Sequence, residues 1–320
     1  MANYKELEGF GVQTLATDPD SAGWAGSIFY NSTSGTFKTV KPGGIAAGTW
    51  ASGGTLNNSR TEAAAGVGTQ TAAMIVGRSP APAAVTEQYN GSAWTEVADL
   101  NSATGRGQGA GASYTSALVF GGVLVPADTT SALNESWNGS SWTEVGDLPT
   151  ARSDGGGFGT QTAAILAGGN RGTPTTATFS WNGTSWASAT AINTARGENA
   201  AAGIQTAGII FGGREPANSV ATELYNGSTW TTTSSMNTGR YLLGGFGTQT
   251  SAIASSGTPA TTSAEAWDGS TWTTVSSLAN PATSQNTAAG ADNTSGLVAA
   301  GTATEEWNAP EVVINTLTTS

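Results

Sequence analysis

Arginine and glutamate recur at regular intervals, and they are the residues whose types and spacing could do chemistry. An arginine follows a tryptophan by ten residues four times, and a glutamate recurs at the start of a later segment in most repeats. These residues are Arg60, Arg152, Arg196, Arg240, Glu87, Glu135, Glu223, Glu265 and Glu305. Arginines converging on one pocket would bind a carboxylate, whereas arginines at equivalent positions would form ion pairs with the glutamates. The regular spacing favours structural ion pairs.

The chain contains no histidine and no cysteine. A Ser-His-Asp triad, a Cys-His pair and a metal site built from imidazoles or thiolates are therefore excluded. We expect a protein that is not an enzyme and binds no cofactor. The formal net charge of −11 argues against nucleic acid as a partner, because phosphate binding needs a basic surface. No apolar run suits a signal peptide or a membrane helix, so we expect neither secretion nor membrane insertion.

Six tryptophans mark the repeating unit that must position the charged residues. They are Trp50, Trp94, Trp142, Trp186, Trp230 and Trp272, at spacings of 44, 48, 44, 44 and 42 residues. Such spacings are typical of propeller blades. Each unit reads as four strands, and helical periodicity is absent, so the sequence predicts an all-β fold.

Each recurring residue type has an expected structural role. Asn-Gly pairs such as 226–227 supply the positive φ angles of a tight hairpin, and paired glycines permit close backbone approach. The tryptophans fill the spaces between blades. We expect the glutamines of the Gly-Thr-Gln-Thr segments to satisfy backbone groups of the turn; they are Gln70, Gln161 and Gln249, with Gln205 in a variant.

The two ends of the repeat region indicate how it closes. Five complete units run from about residue 63 to 275, and a sixth has three recognisable strands that end near residue 308. The segment 49–53 aligns with a fourth strand, so we expect it to cross and complete the sixth unit as a latch. In the alternative, residues 309–316 supply that strand, although Pro310 and the absent turn count against it. The predicted domains are 1–48, 49–308 and a C-terminal tail, 309–320.

The repeat resembles the kelch-repeat propellers. Paired glycines, a glutamate two residues before an aromatic, a tryptophan a few residues later and an arginine in the connecting turn recur across residues 49–308. The resemblance implies a six-bladed kelch-like β-propeller. Three departures stand out: Arg106 comes two residues late in its repeat, Phe179 replaces a glutamate, and the last unit has no arginine.

Two enzyme classes share this architecture. The kelch-like copper oxidases hold their metal with histidine and tyrosine, which this chain cannot supply. Sialidases are also six-bladed, and 268–272 looks like their Asp-box turn but is one residue short. A sialidase-like, glycan-cleaving enzyme is therefore only a remote alternative.

The loops between the second and third strands differ in length and content, whereas those at the opposite face are nearly uniform. We call the loops between the second and third strands the variable loops; they are 78–84, 122–133, 170–177, 214–221 and 258–263. Variation on one face of a constant scaffold is typical of a binding surface, although relaxed surface loops vary as well. The longest loop carries an apolar run, which is costly to expose unless the propeller or a partner covers it. The candidate partner-binding residues are Arg78, Val123, Leu124, Val125, Asp128, Arg171 and Arg214.

Residues 1–48 do not repeat and contain all three lysines of the chain. The segment 28–40 alternates like a β-hairpin. A hairpin alone is marginally stable, so we expect it to pack on the propeller, on a sister chain or on a larger assembly.

The opening Met-Ala-Asn-Tyr-Lys-Glu-Leu, the hairpin of residues 27–40 and the segment 49–60 resemble virion proteins of marine bacteriophages. Such proteins are described as tail-fibre or structural proteins with kelch-like repeats. The resemblance implies a non-enzymatic virion protein, made in the host cytoplasm and homo-oligomeric in the particle. Residues 1–48 would attach to other virion proteins, and the propeller would bind a host surface glycan or protein, or a neighbouring subunit. The alternative is a capsid decoration or head-fibre protein without a receptor role.

Overall fold

The chain folds into two compact units, one formed by residues 1–48 with 309–320 and the other by residues 49–308. The computed structural model describes residues 12–19, 27–42, 47–62, 65–78, 83–170, 173–280, 287–310 and 312–317. These residues contain no α-helix, and so no helix that could cross a membrane. Their strands pair antiparallel, apart from one parallel pair in the first unit. The predicted all-β class is confirmed.

The first unit is a four-stranded sheet in the order Gln13–Leu15, Ile28–Asn31, Thr36–Pro42, Val312–Thr316. The two middle strands form the predicted hairpin. Phe29 and Val40 are its buried apolar residues, with Leu15 and Ile314 packed against them. The last strand pairs with Thr36–Pro42, so the described C-terminal residues belong to this sheet and are not a separate tail.

The described residues of the second unit form six four-stranded antiparallel sheets, which we number in chain order. Sheet 1 is Ala65–Thr69, Ala72–Val76, Thr86–Tyr89, Trp94–Val97; sheet 2 is Gln108–Ser113, Ser116–Phe120, Asn134–Trp137, Trp142–Glu144; sheet 3 is Gly156–Thr160, Ala163–Ala167, Thr178–Trp181, Trp186–Ala189; sheet 4 is Ala200–Ile204, Ala207–Phe211, Thr222–Tyr225, Trp230–Thr233; sheet 5 is Gly244–Thr248, Ser251–Ser255, Ala264–Trp267, Trp272–Val275; and sheet 6 is Thr287–Asp292, Ser295–Ala300, Ala303–Asn308, Thr49–Ser52. Two small sheets include residues of the variable loops. One is Thr104–Gly105, Val123–Leu124, Thr129–Thr130, in which Thr104–Gly105 comes from the segment before sheet 2; the other is Arg214–Glu215, Ala217–Asn218.

The strand that completes sheet 6 comes from the start of the unit. Thr49–Ser52 pairs with Ala303–Asn308, which places Trp50 opposite Trp307. The strand pairing predicted for residues 49–53 is therefore present. The alternative fourth strand, 309–316, is wrong, because its described residues pair in the first unit.

Packing between sheets follows one rule around the unit. The first strand of each sheet packs against the first strand of the next, and the first strand of sheet 6 packs against that of sheet 1. Small residues permit this approach, since a Cβ on Gly245 would lie only 2.7 Å from the Cβ of Ala200. The second unit is thus an all-β, propeller-like array of repeated sheets.

The recurring tryptophans fill the spaces between sheets, as predicted. Trp94, Trp142, Trp186, Trp230 and Trp272 are each 6–7% exposed. Their side chains join apolar clusters of the preceding sheet; Trp272, for example, donates from Nε1 to Thr222 Oγ1 at 2.9 Å. Trp50 is half-buried and donates to the Ser276 carbonyl at 2.9 Å.

Two other recurring residues act differently from expectation. In the Asn-Gly turns only the glycine has positive φ, 90° at Gly227, while the Asn226 side chain accepts the N–H groups of Ser228 and Thr229. The glutamines do not serve their own turn. Gln249 Nε2 donates to the Gly208 carbonyl at 3.2 Å and to the Tyr225 carbonyl at 2.6 Å, so it ties sheet 5 to sheet 4.

Candidate functional site

The segments that join the last strand of one sheet to the first strand of the next carry the recurring arginines. We call these segments the inter-sheet connections. Arg60 contacts Glu87 at 2.8 Å and Arg240 contacts Glu265 at 2.7 Å, between side chains no more than 2% exposed. Arg196 forms the equivalent ion pair with Glu223. These three pairs confirm the structural role that the spacing predicted.

The ion pairs also fix the backbone of each connection. Glu265 accepts the N–H of Asn237 at 2.7 Å and that of Thr238 at 3.3 Å, in addition to Arg240. A buried carboxylate is tolerable only with such partners. Arg152 faces Phe179 where the others face glutamate, and its guanidinium lies 5.0 Å from the ring centre. The departure at Phe179 is therefore matched by a cation–π contact.

Two residues beyond each arginine position lies a residue in the left-handed conformation. We call these the left-handed residues: Glu62, Arg106, Asp154, Glu198 and Leu242, with φ between 52° and 58°. This conformation costs a residue with a side chain about 1–2 kcal/mol. The sequence suggested that Arg106 is the arginine of its repeat, displaced by two residues. The structure instead places it among the left-handed residues.

A chain of backbone hydrogen bonds links the left-handed residues from one connection to the next. Arg106 N–H donates to the Glu62 carbonyl at 3.1 Å, and Asp154 N–H to that of Arg106 at 3.0 Å. Glu198 and Leu242 continue the series at 2.6 and 2.9 Å. Residues more than forty positions apart in the chain are therefore neighbours in space.

Their side chains form a charged network. Arg106 binds Asp154 through two hydrogen bonds, at 2.9 Å from Nε and 2.8 Å from Nη2, and the Asp154 side chain is fully buried. Arg106 Nη2 lies 4.0 Å from Glu198 Oε1. Arg214 Nε lies 3.7 Å from Glu198 Oε2, and the Arg214 guanidinium stacks 5.1 Å from the ring centre of Tyr241.

The pKa values of Arg106 and Glu198 both rise in this network, which favours the charged form of Arg106 and disfavours that of Glu198. Burial disfavours the charged form of Arg106, but the carboxylates of Asp154, Glu62 and Glu198 outweigh it and raise the pKa of Arg106. Burial raises the pKa of the Glu198 carboxyl, and Arg214 opposes that rise only in part. Burial thus outweighs the nearby arginines at Glu198.

A cavity lies beside the left-handed residues. The first strands of all six sheets line it, through Gly66, Gly109, Gly157, Ala201, Gly245 and Ala288. Small side chains leave this space open, because a larger residue at these positions would fill it. At the end nearest the connections, Gln108, Glu198, Asn199 and Leu242 complete the lining. We call this end the cavity mouth.

Polar atoms at the cavity mouth have no hydrogen-bond partner among the described residues. They are the amide nitrogen of Gln108, both amide atoms of Asn199 and Oε2 of Glu198. Asn199 is only 7% exposed. A buried polar group left without a partner costs about 1–3 kcal/mol, so four such atoms at one cavity need an explanation.

The apolar run in the longest variable loop is largely covered by the chain itself. Val123 and Leu124 pair with Thr104–Gly105 on one side and with Thr129–Thr130 on the other. Val123 is buried, and Leu124 and Val125 are half-buried. The exposed part of the loop is 126–130, which includes Asp128.

The three candidate arginines have different surroundings. Arg78 donates to the Ser59 carbonyl at 2.6 Å, which ties it to an inter-sheet connection. Arg171 lies outside the described residues. Arg214 alone of the candidate residues meets the charged network, through Glu198.

Sequence reasoning did not find Glu62, Asp154, Glu198 or Asn199. A signal was available: aligning the repeats places four different residue types (Glu, Arg, Asp and Leu) at the five positions that lie two residues after the arginine position. Equivalent positions that do not repeat are where a repeat protein departs from its scaffold.

Comparison with known proteins adds no assignment, because no family model matches the chain and no curated protein is similar to it. Within the described ranges, no group of three or more acidic, histidine or cysteine residues is placed to hold a metal ion.

Proposed function

We propose that residues 49–308 form a closed six-bladed propeller of the kelch type, with Thr49–Ser52 as the closing strand. Contacts between sheets 1 and 6 support closure. Gln70 Nε2 donates to the Trp307 carbonyl at 2.9 Å, and Trp94 Nε1 donates to Thr304 Oγ1 at 2.9 Å. A closed ring leaves fewer strand edges open to aggregation than an open array does.

Truncation tests the closing strand. A chain that lacks 1–47 and 311–320 keeps Thr49–Ser52 and should stay monomeric with a cooperative melting transition. A chain that lacks 1–54 and 311–320 exposes the edge of sheet 6 and should aggregate. Light scattering and size-exclusion chromatography compare them; equal behaviour of the two chains would contradict closure by this strand.

We further propose that the protein is a non-catalytic virion protein of a bacteriophage, associated with the tail. Its propeller binds a host surface glycan or protein, or a neighbouring subunit. One observation carries the binding role: five of the six similar sheets bear variable loops, and these loops differ in structure, as the small sheet around Val123–Leu124 and the hairpin at Arg214–Asn218 do. Residue variation on a constant scaffold is how repeat proteins build binding surfaces.

The burial of the repeated arginines supports a binding protein over a sialidase-like enzyme. Arg60, Arg152, Arg196 and Arg240 are 0–5% exposed, and three of them pair with buried glutamates. A guanidinium consumed in this way cannot bind the carboxylate of a substrate. The virion origin rests on the resemblance of the N-terminal sequence to phage virion proteins.

The first unit is proposed to attach the protein to other virion proteins and to place copies side by side in the particle. It is compact by itself, and it presents Ile28 and Phe37, which are 44% and 50% exposed. Exposed apolar side chains on a small sheet suit a protein contact.

The experiment combines particle imaging with an adsorption assay. Residues 126–130 are replaced by glycine and serine in the phage, and matched particles carry the same replacement in the uniform turn 226–229. Receptor binding predicts lost adsorption by intact particles with the first change only. A map that places the protein on the capsid, with adsorption unchanged, would support the decoration alternative. Hydrolysis of host glycan by the purified protein would overturn the non-catalytic proposal.

A further inference from the structure

The last strand of the first unit, Val312–Thr316, has an edge without a partner among the described residues. The strand pairs with Thr36–Pro42 on one side, and no other described strand pairs with it. Its end is open to solvent, since Thr316 and the following Leu317 are exposed. An unpaired edge presents a row of N–H and C=O groups that can pair with another strand.

The register of the sheet decides which backbone groups face outward. Leu317 N–H donates to the Phe37 carbonyl at 2.9 Å, so the Leu317 backbone faces the neighbouring strand. Backbone groups alternate in direction along an antiparallel strand. Every second residue before Leu317 therefore faces the neighbouring strand as well. The N–H and C=O groups of the residues between them, at positions 312, 314 and 316, point away from the sheet.

The outer strands of the six sheets in the second unit are better protected against such pairing. Each has three or four residues, and its exposed residues are threonine, serine, alanine or glutamate. Val312–Thr316 has five residues, four of them β-branched, and it carries no charge, no proline and no bulge. Short length, charge, proline and bulges are what usually keeps an edge strand from pairing. None of these protects the outer edge of the first unit.

A second copy of the same strand fits this edge. Antiparallel pairing about a two-fold axis at Ile314 places Ile314 opposite itself and Val312 opposite Thr316. All three residues have outward-facing backbone groups, so each N–H meets a C=O. The strand is uncharged, so two copies meet without like-charge repulsion between the paired strands, although the whole chain has a net charge of −11.

The apolar residues of the first unit agree with this pairing. Phe37 and Leu317 are neighbours across two strands and are 50% and 47% exposed. Phe29 and Val40, one residue position away from them in register, lie on the opposite face and are buried. A two-fold axis through paired strands keeps the same face of both copies on one side. The exposed rows of two copies then form one larger apolar surface, which suits a protein contact.

We propose that two copies of the chain pair antiparallel through the outer edges of Val312–Thr316, which joins their four-stranded sheets into one continuous sheet. The inference rests on the proposed contact between copies, and it names the strand that makes that contact. Pairing of a strand with itself closes on a two-fold axis, so it gives dimers and not longer chains. About six backbone hydrogen bonds hold such a pair, so the dimer should be reversible.

The experiment is sedimentation velocity on the full-length protein between about 1 μM and 1 mM, where a dimer with a dissociation constant on the order of 100 μM should appear. Thr316→Pro removes an outward N–H from each copy and no hydrogen bond inside the sheet, so it should weaken the dimer about tenfold or more. Thr274→Pro is the matched control. Thr274 is exposed on the outer strand of sheet 5, and its backbone also faces away from its sheet.

Three results would overturn the proposal. They are a protein that stays monomeric at every concentration, a dimer that Thr316→Pro leaves intact, and a dimer that Thr274→Pro weakens equally. Species larger than a dimer would contradict the two-fold axis.

Cross-linking keeps the test decisive if Thr316→Pro lowers the melting temperature and so damages the sheet. The chain has no cysteine, so a single introduced thiol reports one contact. Ile314→Cys places two thiols at the proposed axis, where paired Cα atoms lie about 5.5 Å apart, within the range of a disulfide. Mild oxidation should yield covalent dimers of this variant and none of Thr274→Cys. Equal yields from the two variants, or no dimer of Ile314→Cys, would contradict pairing at this strand.

The outcomes separate this inference from the proposed attachment role. If the purified protein is monomeric while particles lose the protein when residues 1–47 and 311–320 are removed, strand pairing fails and attachment through the first unit stands. If Ile314→Cys cross-links in solution but particles incorporate the shortened chain normally, strand pairing stands and the attachment role fails.

Discussion

Two sets of residues lie two positions apart in the same inter-sheet connections, and they differ in every respect but location. The arginine positions are buried and repeat one residue type, and Arg60, Arg196 and Arg240 bind the same kind of partner, a buried glutamate. The left-handed residues share a backbone conformation but not a side chain. Glu62 and Arg106, for example, are equivalent positions of opposite charge.

The difference separates what the scaffold needs from what it leaves free. Three junctions between sheets carry the Arg–Glu pair, and there the carboxylate also holds the backbone of the connection, as Glu265 does. The left-handed backbone is needed as well, since its N–H donates to the preceding connection. That hydrogen bond does not need a side chain, and glycine would adopt the conformation at lower cost. Of these side chains, those of Glu198 and Leu242 line the cavity mouth.

The largest loss of stability should follow from replacing one of the buried arginines that pairs with a glutamate. Arg196→Ala leaves Glu223 buried without its cation, so the free energy of unfolding should fall by about 3–5 kcal/mol. Urea denaturation followed by tryptophan fluorescence measures the loss. Arg152→Ala, whose partner is Phe179, should cost less, roughly 1–3 kcal/mol.

The double variant Arg196→Met with Glu223→Leu is the control. It removes both charges but also the acceptor of the Asn193 and Thr194 N–H groups, so it should recover only part of the stability that Arg196→Ala loses. A double variant as unstable as the single one would mean that the ion pair itself, and not the stranded carboxylate, sets the cost.

A smaller loss of stability should follow when a left-handed residue that forms an ion pair is replaced. Arg106→Ala leaves the fully buried Asp154 with fewer partners, but Arg106 is itself 29% exposed, so water can replace part of the contact. We expect a loss of roughly 1–3 kcal/mol in the same urea assay. Arg106→Lys should recover little of it, because lysine cannot reproduce the two-point contact. A full recovery would contradict the importance of that geometry.

The comparison predicts a gain in stability when glycine replaces a left-handed residue that forms no ion pair. Glu62→Gly relieves the left-handed conformation and should raise the free energy of unfolding by about 0.5–1 kcal/mol. Glu144→Gly, on an outer strand, should lower it instead. Differential scanning calorimetry detects both changes; a loss in Glu62→Gly would show that its side chain serves the fold.

The smallest effect concerns a turn at the opposite end of the sheets. Hydrogen bonds from the Thr271 and Ser270 backbone lower the pKa of Asp268 to about 2. A carboxyl group whose pKa is lowered in the folded state stabilises the fold at pH values above its ordinary pKa. That contribution is lost as the pH falls towards the lowered pKa. The unaltered protein should therefore lose more stability between about pH 4 and pH 2 than Asp268→Asn does. Parallel pH dependences in thermal melts would contradict this.

The repeated strands could be predicted from the sequence because the same burial pattern recurs many times. The spacing of the tryptophans predicted four strands per unit, and the spacing of Arg196 and Glu223 predicted their pair. Trp50, aligned with Trp186, predicted the strand that joins sheet 6. In each case a local period carries the information, since the same contact recurs at the same interval.

Contacts that do not recur from repeat to repeat were determined by the tertiary structure alone. Val312–Thr316 pairs with a strand near the start of the chain, and Val123 is covered by Thr104–Gly105, which no local pattern indicates. The charged network likewise joins Arg106, Asp154 and Glu198, one residue from each of three connections. Each repeat specifies its own strands through local spacing, whereas which side chains meet where the sheets converge depends on how those sheets are placed around a common cavity.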